Sequence, residues 1–260
     1  MSDVVGATST PVIGRIGLDA PWLWLAAGWR DLWAYPSVAL GYGGLVVAIS
    51  WIVTAALIYA DAWFLVLPLA AGFVQLGPVL AVALYEAARR VESGERIDSL
   101  ATFVVRVRSP LQLAVLGFFL VFLTMAWVYA AIFLFALFFG LQFPPLADLV
   151  PTLLLTYRGI AFLVVGTAVG AGFAFAAFAI SAVSIPRLLE KDEEAITAML
   201  LSVRAVRENF WPMMLWAWLI AVLTAIGIAL LYVGLLITYP LVGFATWHAY
   251  RALIGDSGRA

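Results

Sequence analysis

Residues 111–140 read LQLAVLGFFLVFLTMAWVYAAIFLFALFFG and contain no acidic or basic side chain. A helix needs about 20 apolar residues to cross a hydrocarbon core about 30 Å thick. This run is longer, and its apolar residues are continuous, whereas a membrane β-barrel strand alternates over about 10 residues. The stretch therefore predicts a transmembrane α-helix and an all-α membrane protein.

Similar runs on either side of this stretch predict five more spans. Three of them are residues 37–60, 62–85 and 159–185. The run 213–247 also lacks acidic and basic residues, and as one helix it would be about 50 Å long at about 1.5 Å per residue. That length exceeds one bilayer crossing, so we expect two spans that turn near residues 232–234. The prediction is six transmembrane helices arranged as three hairpins.

The overall composition supports a membrane protein and argues against several other classes. Apolar residues make up 65% of the 260 residues and charged residues only 11%, whereas soluble domains are about half apolar and about a quarter charged. The formal net charge is -1 and the sequence has no basic stripe, so nucleic acid is not an expected partner. The absence of cysteine excludes disulfides, thiolate metal sites and cysteine nucleophiles.

The basic residues indicate how the helices are oriented. All of the 14 arginines and lysines except Arg158 fall on one side of the predicted spans, and the positive-inside rule makes that side cytoplasmic. Residues 1–20 contain one basic residue, Arg15, and lack the pattern of a cleaved signal, so the first span is expected to be an uncleaved anchor. We expect cytoplasmic termini, with residues 1–20 and 255–260 as tails and residues 21–254 as one membrane domain.

Each odd-numbered span is preceded by a predicted amphipathic helix and a proline. The helices cover residues 22–34, 99–108 and 193–210, and the prolines are Pro36, Pro110 and Pro212. The unit of amphipathic helix, proline and helical hairpin thus occurs three times, which predicts a pseudo-three-fold repeat. Internal repeats are common among transporters, and helices of this kind lie in the membrane interface.

Tryptophans are concentrated where these helices would meet lipid headgroups. The expected interfacial anchors are Trp22, Trp29, Trp33, Trp211 and Trp247. The first three share one face of the first amphipathic helix with Leu25 and Ala26. This face is interpreted either as an anchor that orients the first span or as a docking surface for a partner or a specific lipid.

Charged and titratable side chains near the predicted cytoplasmic side recur with the repeat. Counted from the prolines inside their spans, Glu86 matches His248, and Arg89 matches Arg251. Two interpretations of Glu86 stay open: an ion or proton path across the membrane, or an ordinary helical ion pair with Arg89 and Arg90. If the repeats surround a pseudo-three-fold axis, Glu86 and His248 are expected to face one cytoplasmic vestibule.

Two further polar residues are candidates for function. His248 is the only histidine, and it could carry a proton, bind haem or simply end a helix in the interface. One histidine cannot form a bis-histidine haem site, and no cofactor or metal is predicted. Gln75 is the main polar side chain deep in a span, where it would pack against a neighbouring helix or line a substrate path. No P-loop, nucleophile elbow or HExxH motif occurs, so an enzyme is not expected.

Two stretches resemble a known family. They are WRDL at 29–32 with Pro36 and LGYG at 40–43, and YPLVG at 239–243 running into ATWHAYR at 245–251. Together they resemble a family of predicted bacterial integral membrane proteins classed as a domain of unknown function, over nearly the whole chain. The resemblance implies a bacterial inner-membrane location and no established activity. Members are sometimes labelled as similar to cytochrome c oxidase subunit I, which needs several histidine ligands, whereas this chain has one histidine.

Two classes of function therefore remain. The first is a non-enzymatic accessory, assembly or scaffold component in the lipid bilayer, with a membrane protein partner such as a respiratory complex. The second is a small-solute or ion transporter or channel, with a cytoplasmic vestibule near Glu86 and His248. A solvated cavity that reaches Gln75 would favour transport, and a solid, dry bundle would favour the accessory role.

Overall fold

The computed structural model describes residues 12–95, 107–140 and 146–254. These residues form eleven α-helices and a short 3-10 helix, and no strand occurs among them. The helices are α1 (Ala20–Ala34), α2 (Pro36–Tyr59), the 3-10 helix (Trp63–Leu65), α3 (Val66–Leu80), α4 (Val82–Glu92), α5 (Pro110–Phe139), α6 (Leu146–Leu155), α7 (Tyr157–Ser181), α8 (Ser184–Glu190), α9 (Ala195–Glu208), α10 (Phe210–Ala229) and α11 (Leu235–Ile254). The all-α architecture predicted from the sequence is confirmed.

Five helical segments are long and apolar enough to cross a membrane. They are Pro36–Tyr59, Pro68–Glu92, Pro110–Phe139, Tyr157–Glu190 and Phe210–Ala229. The structure therefore does not confirm the predicted count of six. The segment left out is α11, whose second half carries Thr246, Trp247, His248 and Arg251 and so lowers its mean hydropathy.

Proline and side-chain caps explain where several helices begin. Proline occupies the first or second position of α1, α2 and α5, where its missing N–H costs no helical hydrogen bond. At the start of α7, the Thr156 hydroxyl accepts a hydrogen bond from the Gly159 amide at 3.0 Å. These local signals lie at the ends of the apolar runs, so the predicted starts of the first, third and fourth spans agree with the helices to within two residues. The second span was predicted at 62–85, whereas the helical segment is Pro68–Glu92.

Helix α11 is the centre of the structure. It contacts α1, α2, α4, α8 and α10, and twelve of its residues are buried. Glycines allow two of these contacts to be very close: a Cβ on Gly43 of α2 would lie 2.3 Å from the Leu236 carbonyl oxygen. A Cβ on Gly28 of α1 would lie 2.7 Å from the Ala245 nitrogen. Helices α3, α5 and α7 pack against one another beside this group.

The turn between α10 and α11 lies where the sequence predicted it. Leu231 and Tyr232 both have positive φ, at 51° and 67°, a backbone conformation that ends a helix but costs some strain for residues other than glycine. The Trp51 indole donates to the Leu231 carbonyl at 2.8 Å, and the Thr54 and Tyr232 hydroxyls are 2.9 Å apart. The turn is thereby fixed against α2, about two helical turns before α2 ends.

The second predicted span is interrupted at Ala81, between α3 and α4. Pro78 inside α3 removes one backbone donor, and tyrosines from other helices supply hydrogen bonds there. The Tyr239 hydroxyl donates to the Gly77 carbonyl at 2.9 Å, and the Tyr42 hydroxyl donates to the Leu80 carbonyl. Such partners are what permits a broken helix inside a membrane protein.

The predicted amphipathic helices are found in α1 and α9, but with their faces reversed. On α1 the residues packed into the protein are Pro21, Trp24, Gly28 and Leu32, and most of the predicted apolar face is exposed, although Leu25 is partly buried. On α9 Ile196 and Leu200 are exposed, while three alanines, Leu201, Ser202 and Val206 are buried. Most of the helix predicted at 99–108, namely residues 99–106, lies outside the described residues. The pseudo-three-fold repeat is therefore not confirmed.

The beginning and the end of the described chain lie together. The Gly14 amide donates to the Leu253 carbonyl at 2.8 Å. Asn209 joins the same cluster, since its side chain accepts from the Ile16 amide at 3.0 Å and donates to the Gly14 carbonyl at 3.0 Å. We call this end of the bundle, which includes α1, α8, α9 and the last turns of α4 and α11, the polar end.

Candidate functional site

A cavity of about 270 Å³ lies among α3, α4, α7, α10 and α11. We call it the chamber. Its lining includes the aromatic side chains Phe73, Tyr85, Phe175, Phe178, Trp216, Trp218 and Tyr239, and the polar side chains Gln75, Ser181, Thr224 and Thr246. On α7 the lining residues lie between Ala171 and Ser181, and on α10 between Met214 and Thr224. The chamber therefore lies beside two of the segments that are apolar enough to span a membrane.

Two buried polar atoms at the chamber have no hydrogen-bond partner among the described residues. They are Gln75 Oε1 and Ser181 Oγ, and their residues are 2% and 1% exposed. Leaving a buried polar group unsatisfied costs about 1–3 kcal/mol. Both residues line the chamber, where a bound molecule is the nearest source of the missing hydrogen bonds.

Two other polar side chains at the chamber are already engaged, and neither is charged. The Thr246 hydroxyl donates to the Val242 carbonyl at 2.7 Å, and the Tyr239 hydroxyl is used at the break between α3 and α4. No acidic, basic or histidine side chain is among the described lining residues. The chamber therefore suits an uncharged molecule and offers an ion no counter-charge.

The chamber opens toward the outside of the bundle between α7 and α10. Phe175 of α7 and Trp218 of α10 line the chamber, yet they are 37% and 59% exposed. Both belong to segments apolar enough to span a membrane. An entrance here would face lipid rather than water.

A second, wholly uncharged groove of about 310 Å³ lies between α2 and α3. It shares Phe73 with the chamber. Phe73 packs on Tyr239 with ring centroids 5.5 Å apart, and Tyr239 stacks on Tyr42 at 6.3 Å. This aromatic layer separates the groove from the chamber.

Glu86 is fully buried and held by two arginines. Its carboxylate accepts from Arg89 Nε at 2.8 Å and Arg89 Nη2 at 3.0 Å, and from Arg90 Nε at 2.7 Å. This geometry corresponds to the second interpretation of Glu86, the helical ion pair with Arg89 and Arg90. The two guanidinium groups leave the carboxylate no free charge to offer to a passing cation.

Glu86 and His248 do not face a common vestibule in the described structure. A polar groove of about 850 Å³ does exist at the polar end, and Arg89 and Arg251 line it, but neither Glu86 nor His248 is among its described lining residues. Glu95 and Val107, which flank residues outside the described part of the chain, are also at this groove.

His248 and Arg251 are instead held by acidic side chains. His248 Nε2 lies 2.7 Å from Asp31 Oδ2, which joins α11 to α1. Arg251 Nε donates to Glu92 at 3.1 Å, and Arg251 Nη1 donates to Glu190 at 3.3 Å. The repeat-related residues thus take part in contacts that connect helices at the polar end.

The expected tryptophan anchors fall into two groups. Trp22, Trp29, Trp33 and Trp211 are exposed, as an interfacial residue requires. Trp247 differs from the expectation, because it is 1% exposed and its indole donates to Glu92 at 3.0 Å. It packs on Tyr250, whose hydroxyl donates to Glu190 at 2.7 Å. The sequence pattern missed this because a tryptophan near a helix end reads the same whether lipid or protein covers it.

Of the chamber residues, the sequence singled out Gln75 but missed Ser181 and Trp216. Serine near the end of an apolar run is common, and nothing in its spacing shows that Ser181 lies at the same cavity as Gln75. No cluster of three or more metal-ligating side chains occurs among the described residues.

Comparison with other proteins gives one match. No curated protein and no solved structure matches the chain. A family model does match, and it confirms the resemblance to an integral membrane family of unknown function. The matched part, about half of the chain, is shorter than expected. It contains Gln75, Glu86 and Ser181 but neither of the two stretches, at 29–43 and 239–251, on which the resemblance was based. Residues 66–190 match the family described as predicted integral membrane protein, DUF2189.

Proposed function

We propose that this protein is a non-enzymatic membrane carrier that takes up a small uncharged molecule from the bilayer into the chamber. The observation that carries the proposal is the chamber itself, which reaches Gln75 inside the bundle. A bundle that served only as a scaffold would gain stability by filling this space, because cavities cost free energy.

The uncharged lining favours a neutral molecule over an ion. Glu86, the best candidate for an ion path, is neutralised by Arg89 and Arg90. The entrance beside Phe175 and Trp218 suits a molecule that has already dissolved in lipid.

The carrier is proposed to have six spans, with both termini in the cytoplasm of a bacterial cell. The contact between Gly14 and Leu253 supports an even number of crossings, because it holds both ends of the described chain on one side. Ten of the eleven described basic residues lie toward the polar end, and Arg158 is the exception. The positive-inside rule then favours a cytoplasmic polar end.

An accessory role is the second candidate, and a specific surface favours it. Trp22, Trp29 and Trp33 form an exposed face on α1, and the rings of Trp29 and Trp33 contact each other with centroids 5.6 Å apart. Such a face suits a membrane protein partner or lipid headgroups.

The carrier proposal is tested by filling the chamber. Ala174→Trp places a large ring in the chamber, whereas Val164→Trp adds the same ring at an exposed position earlier on α7. Protein purified in mild detergent is extracted with organic solvent, and the released small molecules are compared by mass spectrometry. We expect a neutral compound from the wild type and from Val164→Trp that is lost from Ala174→Trp.

A second measurement distinguishes transport of the compound from binding alone. Liposomes that contain the protein are preloaded with the extracted compound, and uptake of its labelled form is followed. We expect accumulation with the wild type and none with Ala174→Trp. Identical extracts from all three proteins would overturn the proposal, and binding without accumulation would favour the accessory role.

A further inference from the structure

The two unsatisfied atoms define what the chamber recognises. Gln75 Oε1 can only accept a hydrogen bond, and Ser181 Oγ can accept or donate one. Their burial removes water as a competitor, so a ligand that carries an N–H or O–H group gains most from this site. An entirely apolar ligand would leave both atoms unsatisfied.

The volume limits the size of the ligand. An apolar cavity of about 150 Å³ stays dry and holds benzene. The chamber has about 270 Å³, which is enough for a bicyclic ring system and too little for most drug-sized ligands, whose pockets are about 300–1,000 Å³.

The walls favour a flat molecule. Phe73, Phe178 and Trp216 line the chamber with aromatic side chains, and Ala174 leaves space beside them. Aromatic rings pack on one another by offset stacking or edge-to-face contact. The missing charge among the described lining residues excludes a site built for carboxylates or amines.

We infer that the chamber binds a neutral bicyclic aromatic molecule that donates one N–H or O–H hydrogen bond to Gln75, with Ser181 as its second polar contact. The inference rests on the proposed function for the claim that the chamber is a ligand site. Indole and naphthol derivatives belong to this chemical class.

Two isomeric probes test the hydrogen bond without a change in size. 3-Methylindole keeps its N–H group, whereas 1-methylindole has a methyl group in its place. Binding of each labelled probe to the detergent-purified full chain is measured, and Ala174→Trp gives the background from partition into detergent. We expect the wild type to bind 3-methylindole at least ten-fold more tightly than 1-methylindole.

Substitutions at the two polar residues complete the test. Gln75→Leu removes the whole side-chain amide, both its acceptor oxygen and its donor nitrogen, and should reduce the preference to less than two-fold. The ligand-free protein stays folded because an unsatisfied polar group has been removed. Ser181→Ala should weaken binding of 3-methylindole, whereas Ser50→Ala should not, because the Ser50 hydroxyl donates to the Val46 carbonyl within α2.

The possible failures are distinguishable. Equal binding of both probes, abolished by Ala174→Trp, would overturn the hydrogen bond to Gln75 and leave the carrier proposal standing. Binding of neither probe, together with a compound released by solvent from the wild type, would overturn the aromatic class alone. If no compound is released and neither probe binds, both the carrier proposal and the proposed ligand class are overturned. Buried water would then be the hydrogen-bond partner of the two polar atoms.

Discussion

At the scale of single residues, the ion pairs of the polar end differ in their surroundings more than in their geometry. Glu86 and Arg90 are four residues apart, as are Arg204 and Glu208, and the two pairs have similar lengths of 2.7 and 2.6 Å. The Glu86 side chain is 0% exposed, whereas that of Glu208 is 39% exposed. Removing one member of a buried pair costs more than removing one member of an exposed pair, because an exposed charge returns to water.

We therefore expect Glu86→Gln to lower the free energy of unfolding by about 3–5 kcal/mol. Glu208→Gln, the matched control, should lower it by less than about 1 kcal/mol. Thermal and denaturant unfolding of the two variants in detergent would measure the difference. Equal effects of the two substitutions would show that Glu86 is solvated, and would return it to consideration as part of an ion path.

The sequence predicts residue-scale features only when the partners are close in the chain. Arg89 and Arg90 follow Glu86 by three and four residues, so the helical ion pair could be foreseen. Gln75 was identified as polar and deep, but Ser181, its companion at the chamber, lies on another helix. Which distant side chains share a cavity depends on how α3 and α7 pack, and no local pattern encodes that.

At the scale of helices, apolar periodicity located the elements but not the faces that pack. The predicted apolar faces of α1 and α9 are largely exposed. The buried faces combine small residues with a few large ones, such as Gly28 with Trp24 on α1 and alanines with Leu201 on α9. Lipid is as apolar as a protein core, so large apolar side chains gain little by choosing the core, whereas small residues let helices approach closely. Gly28 and Gly43 were therefore better guides to packing than the tryptophans.

Close packing of α2 on α11 gives an element-scale prediction. Gly43→Ala would place a Cβ 2.3 Å from the Leu236 carbonyl oxygen, so the helices must separate, and overpacking of this kind costs about 1–3 kcal/mol. Gly41→Ala on the same helix has no atom within 4 Å of the added Cβ. We expect Gly41→Ala to be neutral or slightly stabilising because alanine favours the helix.

Melting temperatures in detergent compare the two variants. A lower melting temperature for Gly43→Ala alone would support the contact between α2 and α11. Equal melting temperatures would mean that these helices are further apart than the structure places them.

At the scale of the whole molecule, the number of crossings depends on α11. Five segments satisfy the requirements of length and hydropathy, but five crossings would put the two ends of the chain on opposite sides. The hydrogen bond from Gly14 to Leu253 keeps them together. This contact supports the proposed even number of crossings, which is six if the hairpin of α10 and α11 crosses fully, or four if it enters the membrane and returns.

Hydropathy could not decide this, because α11 is covered by other helices rather than by lipid. A helix surrounded by protein can carry Tyr239, Thr246 and His248 without exposing them to hydrocarbon. At 20 residues each, α10 and α11 are about 30 Å long, which matches the hydrocarbon core. Their turn nevertheless lies beside Trp51 and Thr54, some distance before α2 ends at Tyr59.

The absence of cysteine in the chain allows this last question to be tested directly. Val233→Cys places an exposed thiol in the turn, and Ala252→Cys places one near the end of α11. Because six crossings put the turn outside and the polar end inside, a membrane-impermeant maleimide should label Val233→Cys in intact cells and Ala252→Cys only after lysis. Labelling of both variants only after lysis would favour four crossings with a hairpin that returns, and labelling of Ala252→Cys in intact cells would reverse the orientation. Under four crossings the chamber would stay enclosed by the same helices, but a ligand could leave it only toward the cytoplasm or the inner half of the bilayer.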